Sequence, residues 1–272
     1  MSNKGRVAVV TGGDKGIGYH IALQLGSSGL FEHICITCQD HNQAQAVVDE
    51  LQNQMPAGVN VCCSELVLGD TMSMTGFAKM LEERYSKIDV LVNNAGMAFT
   101  HSDPTPIEEQ CKTTMNINFR GTCELTEKLL PLLRQGTDPR LINVISAEGR
   151  LSQLSEDRQM QFTDDNLTMP QLYSLVDEYE RDVLARNHLE KGWGNSCYGM
   201  SKLALIAATK VWAHQEPDIK VDCCDPGYCK TDMTHMKGER DPADGAKCIV
   251  MPATMANPPT GQIFSDYMIA SW

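Results

Sequence analysis

Arg6-Val-Ala-Val-Val-Thr11-Gly-Gly-Asp-Lys-Gly-Ile-Gly18 decides how the rest of the chain is read. The run from Arg6 to Thr11 is short, β-branched and without a polar break, which is the pattern of a strand buried on both faces. A glycine-rich turn follows at once and opens onto the helical spacing of Ile21, Ala22, Leu23 and Leu25. Strand, glycine-rich turn and helix together form the context in which glycines carry meaning. Gly12, Gly16 and Gly18 let the backbone turn tightly and approach a ligand closely. The free N–H groups and partial positive charge at the helix start suit a phosphate. The alternative is a turn that serves packing alone.

Outward from this unit the same rhythm repeats. His33-Ile-Cys-Ile-Thr-Cys38 reads as the second strand. Its end, Cys38-Gln39-Asp40, falls where such folds meet an adenosine ribose. Helices are expected over 42–54 and 71–85, strands over 59–66 and 89–96, and a long, bent helical region over 106–133. Arg140-Leu-Ile-Asn-Val-Ile-Ser146 is the fifth strand and Ile219-Lys-Val-Asp-Cys-Cys224 the sixth. Helices over 198–214 and 242–256 and a short last strand at 262–264 complete the chain. Residues 151–195 break the rhythm. There Thr168-Met-Pro-Gln171 has capping-box spacing, and Leu172, Leu175, Val176, Tyr179 and Val183 recur at helical spacing. The expectation is an α/β fold: one doubly wound, Rossmann-type parallel sheet with helices on both faces. Residues 1–272 then form a single dinucleotide-binding and catalytic domain with a helical insertion at about 151–195.

Composition narrows the function. The 272 residues are 42% apolar, and 35 acidic against 23 basic residues give a net charge of −12. That argues against a nucleic-acid partner, which requires a basic face. No apolar run nears the ~20 residues that span a bilayer, and the start carries no charged-then-apolar signal, so no membrane partner is expected and a cytoplasmic location is the default. The 11 cysteines are scattered through apolar runs and read as reduced, buried thiols. Cys35-Ile-Thr-Cys38 has redox or zinc spacing, but no second pair completes a metal site, and ordinary strand cysteines are the expectation.

Tyr198-Gly-Met-Ser-Lys202 places a phenol and an ammonium one helical turn apart. A fixed ammonium beside a tyrosine stabilises phenolate and so lowers a pKa that is ordinarily about 10. The spacing alone arises by chance in surface helices, but its company is specific. The glycine turn, Asn93-Asn94-Ala95-Gly96, Ser146 and Pro226-Gly227 all fall at the C-terminal ends of strands, the edge where such sheets bind ligands.

Over essentially its whole length the sequence resembles the classical short-chain dehydrogenase/reductases, and among them the monomeric carbonyl reductases. The resemblance rests on Thr-Gly-Gly-Asp-Lys-Gly-Ile-Gly, Val-Leu-Val-Asn-Asn-Ala-Gly, Asn118-Phe-Arg-Gly-Thr122, Tyr-Gly-Met-Ser-Lys and Pro-Gly-Tyr-Cys-Lys-Thr-Asp-Met233. It implies a catalytic tetrad of Asn118, Ser146, Tyr198 and Lys202. Ser146 and Tyr198 would donate to the carbonyl oxygen that becomes negative as it accepts hydride. Lys202 would favour phenolate and bind the nicotinamide ribose, and Asn118 would hold a water linking Lys202 to solvent. Cofactor contacts are implied for Thr11, Gly12, Asp14, Lys15, Gly16, Ile17, Gly18, Gln39, Asn94, Ala95, Gly96, Pro226, Gly227 and Thr231.

Lys15 matches the basic residue that meets the extra phosphate of NADP(H), and Cys38 stands where an acidic residue would mark an NAD binder. Gln39 and Val67 depart from the usual arginine and aspartate. The substrate expected is a small-molecule carbonyl compound, met by Ser146, Glu148, Trp193, Tyr228 and Met233, with Ala147 and Met236 nearby. Trp193 also fits a packing role. Glu148 and Asp225 would favour polar or cationic carbonyls, unless both face solvent. The long insertion implies a monomer. Alternatives of the same fold are a pathway-specific alcohol or hydroxysteroid dehydrogenase and a non-catalytic dinucleotide sensor.

Overall fold

The computed structural model describes residues 5–100 and 102–272. Eight strands form one sheet in the order β3-β2-β1-β4-β5-β6-β7-β8. They are β1 (Val7–Val10), β2 (His33–Cys38), β3 (Asn60–Glu65), β4 (Val90–Asn93), β5 (Arg140–Val144), β6 (Lys220–Asp225), β7 (Ile263–Ser265) and β8 (Met268–Ala270). Every neighbouring pair through β7 is parallel. β8 turns back antiparallel on β7, with Ile263 opposite Ala270. This eighth strand lies beyond the last strand expected from sequence. It is short and largely exposed, so it carries no buried apolar run to announce it.

The period of two along each strand divides the core. Val7 and Val9 enter one apolar cluster with Cys35 and Leu91. Ala8 and Val10 enter the other with Ile34, Ile36, Val90 and Val92. Helices α1 (Gly16–Ser27), α2 (His41–Gln54) and α9 (Pro242–Thr254) cover the second face; α3 (Thr71–Tyr85), α5 (Thr122–Leu133) and α8 (Cys197–Gln215) cover the first. Because the strands are apolar on both faces, neither face can be left to water.

α8 is buried on nearly all sides, from Cys197 through Trp212. A helix that is apolar all round belongs inside a protein, so the turn bearing Tyr198 and Lys202 is held rigidly. The helical region expected over 106–133 is α4 (Ile107–Thr114), then a π-helical segment Met115–Gly121, then α5. Between β5 and α8 lie two single 3₁₀ turns, α6 (Glu156–Phe162) and α7 (Met169–Leu184). α7 opens on the capping box read from sequence: Thr168 Oγ1 accepts from Gln171 N, and Gln171 Oε1 accepts from Thr168 N at 2.9 Å. Among the described residues no helix is long and apolar enough to cross a membrane.

Candidate active site

The strand order reverses between β1 and β4, and a cleft of about 1680 Å³ opens at the C-terminal ends of the strands there. One wall is the turn after β1. Gly12 and Gly16 have φ of +60° and +55°, which side chains with a Cβ rarely adopt. A Cβ on Gly18 would lie 2.0 Å from the Gly12 carbonyl oxygen. The turn and the start of α1 therefore approach each other as only glycine permits. Gly12, Asp14, Lys15, Gly16, Ile17, Gly18 and Gln39 all line the cleft.

Thr11 is a correction to the contacts expected from sequence. Its side chain is buried, and its hydroxyl accepts from Asn94 N at 3.0 Å and Ala95 N at 2.9 Å. It binds the β4 turn to the glycine turn instead of facing the cleft. Asn94 answers with its own amide, which donates to the carbonyls of Thr11 (2.9 Å) and Gly12 (3.0 Å). Asn94, Ala95 and Gly96 then line the cleft. Beyond the expected Val67, it is its neighbours Leu66 and Leu68 that reach the cleft, while Val67 N is held by the Ser73 hydroxyl.

Farther along, two residues beyond the end of β5, Ser146 Oγ accepts from Glu148 N at 3.2 Å and so caps the short turn Ala147–Gly149. Gly149 and Gly199 bring this turn against α8. A Cβ on Gly149 would meet the Leu203 nitrogen at 3.0 Å, and one on Gly199 the Glu148 carbonyl at 2.8 Å. Glu148 Oε2 accepts from Ser196 Oγ at 3.1 Å, and Ser196 Oγ caps α8 by accepting from Gly199 N at 2.9 Å. Ser146, Tyr198 and Lys202 thus face one part of the cleft.

The ionisation of Tyr198 corrects the expected stabilised phenolate. Burial raises its pKa above the ordinary value; the negative charges of Glu148 and Asp225 add to this, and a hydrogen bond with Ser146 opposes it. The phenol stays protonated. Lys202 Nζ donates to the Val144 carbonyl at 2.8 Å and lies 5.6 Å from the Tyr198 ring centre. Burial brings Lys202 down to about 8, with Asp225 pulling the other way. Asp225, at the end of β6, is itself raised by burial and accepts from Gly227 N at 2.9 Å.

Asn118 sits in the π-helical segment and is fully engaged. Its Oδ1 accepts from Met97 N at 2.8 Å; its Nδ2 donates to Met97 O at 2.8 Å and to Ser201 Oγ at 3.1 Å. Its side chain bridges the β4 loop and α8, so the water-holding role implied by resemblance does not fall to the amide group. Met97 and Ser201, the partners in this bridge, were not singled out from sequence. Met97 carries no polar signal, because it acts through its backbone.

The remaining wall comprises Asp225, Pro226, Gly227, Tyr228 and the segment from Cys229 to Lys237, including Thr231, Met233 and Met236. Lys15 Nζ reaches across to Asp232 at 3.3 Å, with both side chains exposed. Trp193 is a further correction. It is 2% exposed, donates through Nε1 to Asp182 Oδ2 at 2.8 Å, packs against Tyr179 and Phe162, and has the Arg158 guanidinium 3.9 Å from its ring centre. It is a core residue of the 151–195 region and does not reach the cleft. Among the described residues no group of three or more His, Cys, Asp or Glu is placed to hold a metal ion.

A glycine-cradled cleft at the switch point, with a Tyr-x-x-x-Lys helix along its wall, defines a nucleotide-dependent oxidoreductase of the doubly wound class. Residues 6–156 match the family model described as short chain dehydrogenase, and the chain belongs to that family. It is 34% identical to carbonyl reductase (NADPH) 3 of Rattus norvegicus and 33% identical to carbonyl reductase (NADPH) 1 of Homo sapiens, with all of each chain covered. Salutaridine reductase from Papaver somniferum superposes with a TM-score of 0.86 at 30% identity, over 96% of this chain and 99% of that one.

Proposed function

We propose that the protein reduces a carbonyl compound (an aldehyde, ketone or quinone) to the alcohol with NADPH. The observation that carries this reading is the placement of Ser146, Tyr198 and Lys202 on one part of the cleft, with Lys202 Nζ 5.6 Å from the Tyr198 ring centre. The residues present fit a dinucleotide. The positive-φ glycines leave room for a pyrophosphate at the start of α1. A Cβ on Gly96 would fill the space 3.7 Å from Lys202 Nζ and 3.1 Å from Asn118 Oδ1. Lys15, and beside it Gln39, would meet a phosphate on the adenosine ribose. The names of the mammalian relatives, carbonyl reductases (NADPH), support the same cofactor and substrate class.

The nicotinamide, when bound, supplies the hydride; the protein's own residues manage charge and protons. Ser146 Oγ accepts from Glu148 N, and its hydroxyl, bonded to Tyr198, would turn to donate to a carbonyl oxygen. Tyr198 donates its proton to that oxygen as negative charge develops. The Lys202 ammonium, fixed by Val144, offers its other hydrogens to a ribose. Asn118 fixes the Met97 loop that closes this end of the cleft. Glu148, Tyr228 and Met233 are the substrate-side residues of the proposal. We further propose that residues 1–272 act as one catalytic domain and as a monomer, α7 occupying a helix face against α4 and α8 that would otherwise be open to a second copy.

The test is oxidation of NADPH and of NADH with a panel of quinones, aldehydes, aromatic ketones and ketosteroids. Turnover is expected with NADPH, and Tyr198→Phe should lower kcat by roughly 10²–10⁴-fold while leaving NADPH binding intact. Equal or better kcat/KM with NADH would overturn the cofactor assignment. Full activity in Tyr198→Phe would overturn the mechanism.

A further inference from the structure

β2 and β3 carry four thiols, Cys35 and Cys38 on one strand and Cys62 and Cys63 on the other. All eleven cysteines of the chain are unpaired; nine are buried, and only Cys62 and Cys63 reach partway to the surface. β3 is the edge of the sheet, so its outer flank has no neighbouring strand.

Register separates two thiol pairs that look alike in sequence. Cys35 stands directly opposite Cys62. Partners on adjacent strands lie about 4.8 Å apart, within the ~4.4–6.8 Å between Cα atoms that a disulfide spans. Cys38 and Cys63 have sulfurs 3.3 Å apart, yet Cys38 stands opposite Glu65, two residues along the strand from Cys63. That offset puts their Cα atoms about 8 Å apart, beyond the ~7 Å a disulfide tolerates without backbone movement. Their contact is a hydrogen bond between thiols.

The surroundings of Cys62 favour its thiolate. The Cys35 thiol hydrogen-bonds to it, the Tyr85 hydroxyl lies 3.3 Å from its sulfur, and Arg84 adds positive charge. Together these outweigh burial and bring Cys62 down to about 6, while Cys35 is pushed up. Cys197 beside Cys111 and Cys248 beside Cys224 are also lowered, but both are buried. Cys62 is the one thiol that joins thiolate character to access, the two conditions for reactivity.

We propose that Cys62 and Cys35 form a redox pair reactive toward hydroperoxides, with Cys62 as the attacking sulfur and Cys35 as the resolving one. The Cys62 thiolate attacks one peroxide oxygen and the O–O bond breaks. The departing oxygen leaves as hydroxide, or as alkoxide from an organic peroxide, and takes up a proton. Cys62 is then a sulfenic acid. The Cys35 sulfur attacks the Cys62 sulfur, the S–O bond breaks, and hydroxide leaves with the Cys35 proton as water. Two thiols are oxidised by two electrons and one peroxide is reduced. The pair lies outside the cleft, so this chemistry needs neither the nicotinamide nor Tyr198.

The experiment treats the full-length, reduced protein with hydrogen peroxide, alkylates the remaining thiols after denaturation, and maps the peptides without reduction. The expected result is loss of two alkylatable thiols per chain and a linked peptide pair joining Cys35 to Cys62, both reversed by dithiothreitol. Cys35→Ser should stop at a sulfenic acid on Cys62 that dimedone captures. Cys62→Ser should leave its remaining thiols intact, and Cys63→Ser should still form the link. Unchanged thiols in the wild-type protein, a link between Cys38 and Cys63, or thiol loss that persists in Cys62→Ser would each overturn the proposal. Should Cys62→Ser fail to fold, the wild-type map and dimedone capture in Cys35→Ser decide the matter alone.

Discussion

The two walls of the cleft are built differently. On the β1–β4 side the two turns are bonded to each other. Thr11 holds two backbone N–H groups, Asn94 holds two carbonyls, and Gly18 touches the Gly12 backbone. On the opposite side the segment after β6 is tied mainly to itself: Lys230 N donates to Arg240 O at 2.8 Å, Arg240 N to Tyr228 O at 3.0 Å and Met236 N to Thr231 O at 2.9 Å. Its tip presents Tyr228, Met233 and Met236 at 58%, 45% and 54% exposure, with His235 and Met236 at positive φ. One wall is cross-linked through Thr11 and Asn94. The other presents exposed apolar side chains. A cofactor common to many reactions suits the first, and variable substrates suit the second.

The largest expected break in this contrast is Gly18→Ala. The new methyl group would have to displace the Gly12 backbone, and overpacking of ~3 kcal/mol predicts a roughly 100-fold rise in the Kd for NADPH. Titration of NADPH fluorescence measures it. An unchanged Kd would mean that this wall is as adaptable as the other.

Next in size is a pH effect that crosses between the walls. Lys202 titrates at about 8, so its ammonium is present below that pH and lost as pH rises through it. NADPH should then bind about tenfold more weakly on the alkaline side, the value of one charge-assisted hydrogen bond. Because the Asp225 charge raises Lys202, Asp225→Asn should move the transition to lower pH. Kd measured across that range, in both proteins, checks the position and the sign of the shift.

The smallest effect is reserved for the exposed wall. Tyr228→Ala and Met233→Ala should leave thermal stability within ~0.5 kcal/mol, as for surface substitutions elsewhere. They should also leave the Kd for NADPH unchanged, and alter KM severalfold for bulky carbonyls only. Uniform loss across small and bulky substrates would erase the contrast.

What the sequence discloses follows the same division. The strands were legible because unbroken β-branched runs such as Val7–Val10 have one solution, burial on both faces. The glycine turn and the Tyr198–Lys202 spacing were legible because the physics that demands them is local. Trp193 was not, since its partners Asp182 and Phe162 converge only after α6 and α7 fold together. The upward shift of Tyr198 comes from burial in the folded cleft, with Glu148 and Asp225 adding to it from two different strand ends. Asn118 was found by its motif, but its engagement with the Met97 backbone has no signature in residue type. β8 is too short and exposed for periodicity to register.

The π-helical segment Met115–Gly121 bears on how the chain can vary. A π turn holds one residue more than an α turn, so this stretch works as a dislocation, a phase slip between two otherwise regular lattices. α4 before it packs on α7 and α8, and α5 after it packs on α3. Deleting one residue here would anneal the defect into regular helix and leave the flanking side chains on their faces, because the widened turn is what absorbs the extra residue. What would change is the widened turn itself, from which Asn118 bonds Met97 and Ser201. The irregularity therefore acts on one turn, while the two halves of the helix keep their different neighbours.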